Sequence, residues 1–107
     1  MRSHYNGDLL NVSEGDQVTV AGWVHRTRDL GGLIFLQIRD RSGIVQAVIE
    51  PEKAELFAKA ETLRSEFVVS ATGVIRNRPA DMINKDMVTG AIELVITQLE
   101  ILNQAAP

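Results

Sequence analysis

The stretch Gln17–Leu30 constrains this chain more than any other. Val18, Val20, Gly22 and Val24 share one parity, with Gln17, Thr19, Ala21 and Trp23 on the other. That is the two-residue period of an extended chain with one buried face. The run is long for a single strand. Gly22 interrupts the core parity, which predicts a bend or bulge at that point. A long strand of this kind pairs with different neighbours at its two ends, as closure of a barrel requires.

The rest of the chain supplies partners. Gly31-Gly32 is a hairpin-type turn signal, and Leu33–Arg39 reads as a second strand. Arg41-Ser42-Gly43 makes another turn, followed by a third strand over Ile44–Glu50. Pro51 is expected at a helix start, where its missing N–H does no harm. Leu56, Ala60 and Leu63 then recur at helical spacing through a charged segment. Phe67–Arg78, rich in Val, Ile and Thr, reads as a fourth strand, Pro79–Gly90 as a loop without elements, and Ala91–Leu102 as a fifth strand. The fifth changes parity, from Ile92, Leu94 and Ile96 to Leu99 and Ile101, which predicts a bulge near Thr97 or Gln98. Three strands, a helix and two strands predict an all-β chain. The arrangement is that of a five-stranded OB-fold Greek-key barrel with one helix between strands 3 and 4. A mixed sheet with a helix on one face is the competing architecture, and the long first strand favours the barrel.

At 107 residues the chain is one domain. It has no cysteine, and its two histidines, His4 and His25, are too few for a histidine metal cage. No apolar run approaches the roughly 20 residues of a membrane span. The first residues lack an apolar signal core, so a soluble, cytoplasmic protein is expected. The net charge of −3 argues against a nucleic-acid partner. Its distribution argues the other way. Seven of the eleven basic residues fall in three groups, Arg26/Arg28, Arg39/Arg41 and Arg76/Arg78/Lys85, while five of the fourteen acids lie between Glu50 and Glu66. Segregation of this kind presents one basic and one acidic face, although ordinary solvated surface charge gives the same pattern.

Strand parity then singles out residues on the wrong side for a core. In the second strand Ile34, Leu36 and Ile38 face inward, which turns Phe35 and Gln37 outward. Gln46, Ile44, Val48 and Glu50 are outward in the third strand, Arg76 and Arg78 in the fourth, Glu93 in the fifth. A ring, amides, a carboxylate and guanidiniums on one surface are what single-stranded nucleic acid needs. Bases stack on the ring, amides and carboxylates read base edges, and arginines hold phosphates. Phe35 packed under the Pro79–Gly90 loop is the bland alternative. Trp23 is expected to pack at a barrel end, and His4 and Tyr5 to cover the barrel. His25 is expected to be solvated, and Met82 and Met87 to be either loop packing or a soft base-binding surface. Asp29, Asp40 and Asp86 sit at turns, where Asp satisfies backbone N–H groups. No nucleophile–base arrangement or phosphate loop is present, so no catalytic residue is expected.

The stretch from Gly22 to Leu36, GWVHRTRDLGGLIFL, resembles the N-terminal domain of bacterial aspartyl-tRNA synthetases. So do Arg39-Asp40-Arg41-Ser42-Gly43-Ile44-Val45-Gln46, Leu63–Val68, Thr72-Gly73-Val74 and Thr89-Gly90-Ala91-Ile92-Glu93. The resemblance runs from about Arg2 to Gln104. It implies an anticodon-binding OB domain over residues 1–104, with 105–107 beginning a hinge toward an absent catalytic domain, and hence an excised domain. The implied partner is the anticodon loop of aspartate tRNA. Phe35 would stack on the middle base, a uridine that Gln46 hydrogen-bonds. Glu93 would read the guanine or queuine at the first position. Arg28 would support the splayed loop, Arg78 would help with the third base, a cytosine, and Arg26 and Arg76 would touch the backbone. Met82 stands where some relatives carry Asn, and Asn84 is the implied substitute. Thr27 replaces an arginine common in the family. Leu30, where relatives that accept asparagine tRNA often carry His, implies strict aspartate usage. Neither metal nor cofactor is implied for the domain, ATP and Mg belonging to the full-length enzyme. That enzyme would be a homodimer and the isolated domain a monomer. A general single-strand binder and a protein-docking module centred on an exposed Ile44, Val48 and Phe35 remain the alternatives.

Overall fold

The computed structural model describes residues 3–30, 32–87 and 89–104. Its strands are β1 (Gln17–Leu30), β2 (Leu33–Asp40), β3 (Gly43–Ile49), β4 (Val68–Asn77) and β5 (Ile92–Asn103), with one helix, α1 (Ala54–Glu61), between β3 and β4. They close in the order β1-β2-β3-β5-β4. Closure excludes the mixed open sheet and gives the expected OB-type barrel. β1 is the hinge of the arrangement: its first half, Gln17 to Trp23, pairs with β4, and its second half, Trp23 to Leu30, with β2. Trp23 pairs on both sides, with Arg39 and with Val68.

The predicted parities hold. Val18, Val20 and Val24, with Leu36, Ile38, Val45 and Leu94, are sealed inside. In β5 the parity change occurs at Thr97, which is skipped where Thr72 pairs with Gln98 and Gly73 with Ile96. The irregularity expected at Gly22 lies three residues later, where β1 skips His25 between Val24 and Arg26. Gly22 answers a different need. A Cβ there would sit 2.2 Å from the carbonyl oxygen of Arg39, because β2 ends against β1 where β1 exchanges partners.

Three further expectations are corrected. Pro51 does not open the helix: Pro51 and Glu52 form a turn and α1 begins at Ala54. The Pro79–Gly90 segment contains a short 3-10 turn, Ala80–Met82. The N-terminal segment does more than cover the barrel with His4 and Tyr5. Asn6–Asn11 form a 3-10 helix whose Leu9 is fully buried in the core. Gly31 and the expected hinge at 105–107 lie outside the described residues. Among the described residues no helix is long and apolar enough to cross a membrane.

Candidate nucleic-acid interface

Cross-strand register assembles the site from the outward parities of β1, β2 and β3. Arg28 pairs with Phe35, and Phe35 with Val48 on its other side. Two residues along, on the same face, Arg26 pairs with Gln37 and Gln37 with Gln46. Residues directly opposite across an antiparallel pair have Cβ atoms about 4.5–5.5 Å apart. A guanidinium, a ring and two amides are therefore placed side by side by the barrel itself.

The loop between β4 and β5 closes this surface into two clefts. The first, about 340 Å³, is lined by Arg26, Arg28, Leu30, Phe35, Gln37, Gln46, Arg78, Met82 and Asn84. The second, about 410 Å³, is lined by Leu33, Phe35, Val48, Arg76, Asn77, Arg78, Pro79, Met82 and Glu93. Phe35, Arg78 and Met82 border both. All eight residues singled out from the sequence thus line one of two adjoining clefts with Phe35 between them. Sequence reasoning omitted Gln37 from that set, although its parity with Phe35 already marked it. A larger cavity of about 500 Å³ lies between α1 and β5. It holds no aromatic ring and no arginine, so chemistry rather than size identifies the site.

The loop has its own anchors. Thr89 donates its hydroxyl to the Ile44 carbonyl, Arg78 N–H to Ala91 O, and Asn84 N–H to Gly90 O. The Asn84 side-chain oxygen accepts the Asp86 N–H at 3.0 Å. At the other end of the site the β2–β3 turn is locked by Asp40. Its carboxylate accepts the N–H of Asn6 and both the N–H and hydroxyl of Ser42. Asn6 in turn donates to Ile38 O and Gly43 O. This fits the turn role expected of Asp40, and adds Asn6, which the sequence did not mark. Arg41 is diverted from the clefts: it lies over the Tyr5 ring, 4.8 Å from its centroid, and donates to the Tyr5 hydroxyl.

Electrostatics in the second cleft centre on Glu93. It projects outward as expected but is only 9% exposed. Arg76 donates from Nε and Nη2 to the single oxygen Oε2, and reaches Glu50 through Nη1 at 3.7 Å. Arg78 approaches the other oxygen, Oε1, at 3.9 Å from Nε. Its Nη1 is buried with no hydrogen-bond partner among the described residues. Val48 is also on the outer face but 1% exposed, while Phe35 and Ile44 are half-buried. No group of three or more metal-ligating side chains occurs among the described residues.

A closed OB-type barrel, one ring set between base-edge readers and arginines, and a loop that walls the surface into base-sized clefts define a nucleic-acid-binding module. The sequence comparisons agree. Residues 18–102 match the tRNA anti-codon family, described as an OB-fold nucleic acid binding domain, and the chain belongs to that family. Over 105 residues it is 59% identical to the Aspartate--tRNA(Asp/Asn) ligase of Legionella pneumophila (strain Corby), covering 98% of this chain and 18% of the ligase. The chain therefore spans less than a fifth of that relative's length. Asparaginyl-tRNA synthetase from Pyrococcus horikoshii superposes with a TM-score of 0.79 at 30% identity, over 96% of this chain and 23% of the synthetase. An OBody bound to hen egg-white lysozyme superposes with a TM-score of 0.83 at 27% identity, over 98% of this chain and 96% of the OBody.

Proposed function

We propose that this domain recognises the anticodon loop of aspartate tRNA on behalf of a cytoplasmic aspartyl-tRNA synthetase. The observation that carries the reading is Phe35, held on the outer barrel face between two clefts, with base-edge readers in both and arginines around it. Phe35 stacks on the middle base and Gln46 hydrogen-bonds it. Glu93 takes the guanine of the first position. Asn84, through its amide NH2, and Arg78 receive the acceptor edge of the third base, a cytosine. Arg26 and Arg28 neutralise phosphates at the rim. Arg76, assigned to the backbone by resemblance, contacts Glu93 and Glu50 in the free domain. The domain performs no chemistry: ligation of aspartate to tRNA, with ATP and Mg, belongs to the catalytic part of a homodimeric enzyme, and the domain alone is a monomer.

The test is a titration with an aspartate anticodon stem-loop, repeated with the middle uridine replaced and with the Phe35→Ala variant. Stacking on an aromatic contributes about 1–3 kcal/mol per base, so Phe35→Ala should weaken binding by roughly tenfold or more. Equal binding of variant and parent removes the stacking role. Indifference to the middle base would leave only a general single-strand binder. Affinity should fall with salt, with a slope of about 0.7 per phosphate neutralised.

A further inference from the structure

Glu93 carries two arginines of unequal standing. Arg78 is nine-tenths buried and Arg76 is 45% exposed, yet it is Arg76 that makes the hydrogen bonds. Its Nε and Nη2 converge on Oε2, whereas Arg78 Nε stays 3.9 Å from Oε1. A buried carboxylate needs donors, since removing one partner from a buried pair is strongly destabilising. In the free domain Arg76 supplies them from a flexible, solvent-exposed stem.

We propose that Arg76 is an internal competitor for Glu93, occupying in the free domain the acceptor that a guanine takes in the complex. The proposal rests on the reading of Glu93 given above and adds a property of the free state. Among the four bases only guanine presents two adjacent donors, N1–H and N2–H, on its pairing edge. That edge has the same two-donor form as the Nε/Nη2 side of a guanidinium. The base therefore exchanges one fork for another, and the carboxylate is never left without donors. Arg76 has a place to go: its Nη1 already lies 3.7 Å from Glu50, which is half-buried beside it. Arg78, the buried member, remains with Glu93 throughout. The exchange limits how tightly the first base is held, because the hydrogen bonds that guanine forms to Glu93 replace those that Arg76 made. A domain that must release its RNA after each round gains a faster off-rate from such a device.

The experiment compares this chain with its Arg76→Met variant, titrating each with stem-loops carrying guanine or adenine at the first position across a salt series. Met keeps the stem and removes the donors. The competitor predicts tighter binding of the guanine loop by about five- to tenfold. The adenine loop, which offers Glu93 a single amino donor and no fork, should change much less, and the salt slope should stay the same. Weaker binding of both loops with a shallower salt slope makes Arg76 a phosphate contact and overturns the proposal. Unchanged affinity for both loops overturns it as well. If the unmodified chain ignores the middle base, the anticodon reading has failed, a result distinct from either of these. Arg76→Lys keeps the charge without the fork and should shift the guanine loop in the same direction as Met, by less.

Discussion

Gln37 and Gln46 stand directly opposite one another across β2 and β3, two residue pairs along from Phe35 and Val48 and on the same face. Two amides so placed offer donors and acceptors beside the ring, and uridine presents acceptor, donor, acceptor along its pairing edge where cytidine presents donor, acceptor, acceptor. Gln46→Leu should therefore erase most of the preference for uridine over cytidine at the middle position, roughly tenfold in affinity ratio. Gln37→Leu should cost less, because Gln37 pairs with Arg26 on its other side. Competition titrations with the two stem-loops measure both ratios.

Asn84 lines the first cleft, and its side-chain oxygen accepts the Asp86 N–H. A donor suits the N3 acceptor of cytosine and opposes the N3–H of uracil. Asn84→Asp preserves the turn and replaces the donor with an acceptor. The ratio of affinities for aspartate and asparagine stem-loops, which differ in cytosine or uracil at the third base, should move by about tenfold toward uracil. Total affinity should fall, since a negative charge enters a cleft bordered by arginines. A ratio that stays constant removes Asn84 from third-base recognition.

Asp40 joins the N-terminal 3-10 helix to the β2–β3 turn through three accepted hydrogen bonds. Asp40→Ala strips the Asn6 and Ser42 donors of their acceptor in a buried setting. The expected loss is about 3 kcal/mol, read as a lower midpoint in urea unfolding with unchanged slope.

Gly22 leaves no room for a methyl group beside the Arg39 carbonyl oxygen. Gly22→Ala should destabilise by roughly 2–4 kcal/mol through overpacking against backbone. A thermal melt lowered by more than 5 °C, on the order expected for a domain of this size, is the check.

Both interface and barrel were partly legible in the chain itself. Strand identity and the outward placement of Phe35, Gln46, Arg76 and Arg78 follow from a period of two, a local property that neighbouring residues impose on one another. The bulge at Thr97 was legible for the same reason, as a break in that period. The helix start was misplaced because Pro51 is equally at home in a turn, and no N-cap side chain after it marks the true beginning at Ala54. Gly22 was read as a bulge because a missing side chain looks alike whether the backbone bends or another strand passes close by.

What the sequence by itself determined is therefore the set of elements, the face each residue presents, and the family to which the motifs belong. Only the tertiary structure decided which faces meet. The antiparallel pairing of β4 with β5 sets Arg76 directly opposite Glu93, and closure through the short parallel contact of β3 with β5 puts Val48 under cover, so one outward acid becomes buried and one outward valine sealed. Asn6 and Leu9 become structural because the chain ahead of β1 folds back on the β2–β3 turn. The pairing of Arg76 with Glu93 joins residues far apart in the chain, and long-range register leaves no trace in local periodicity.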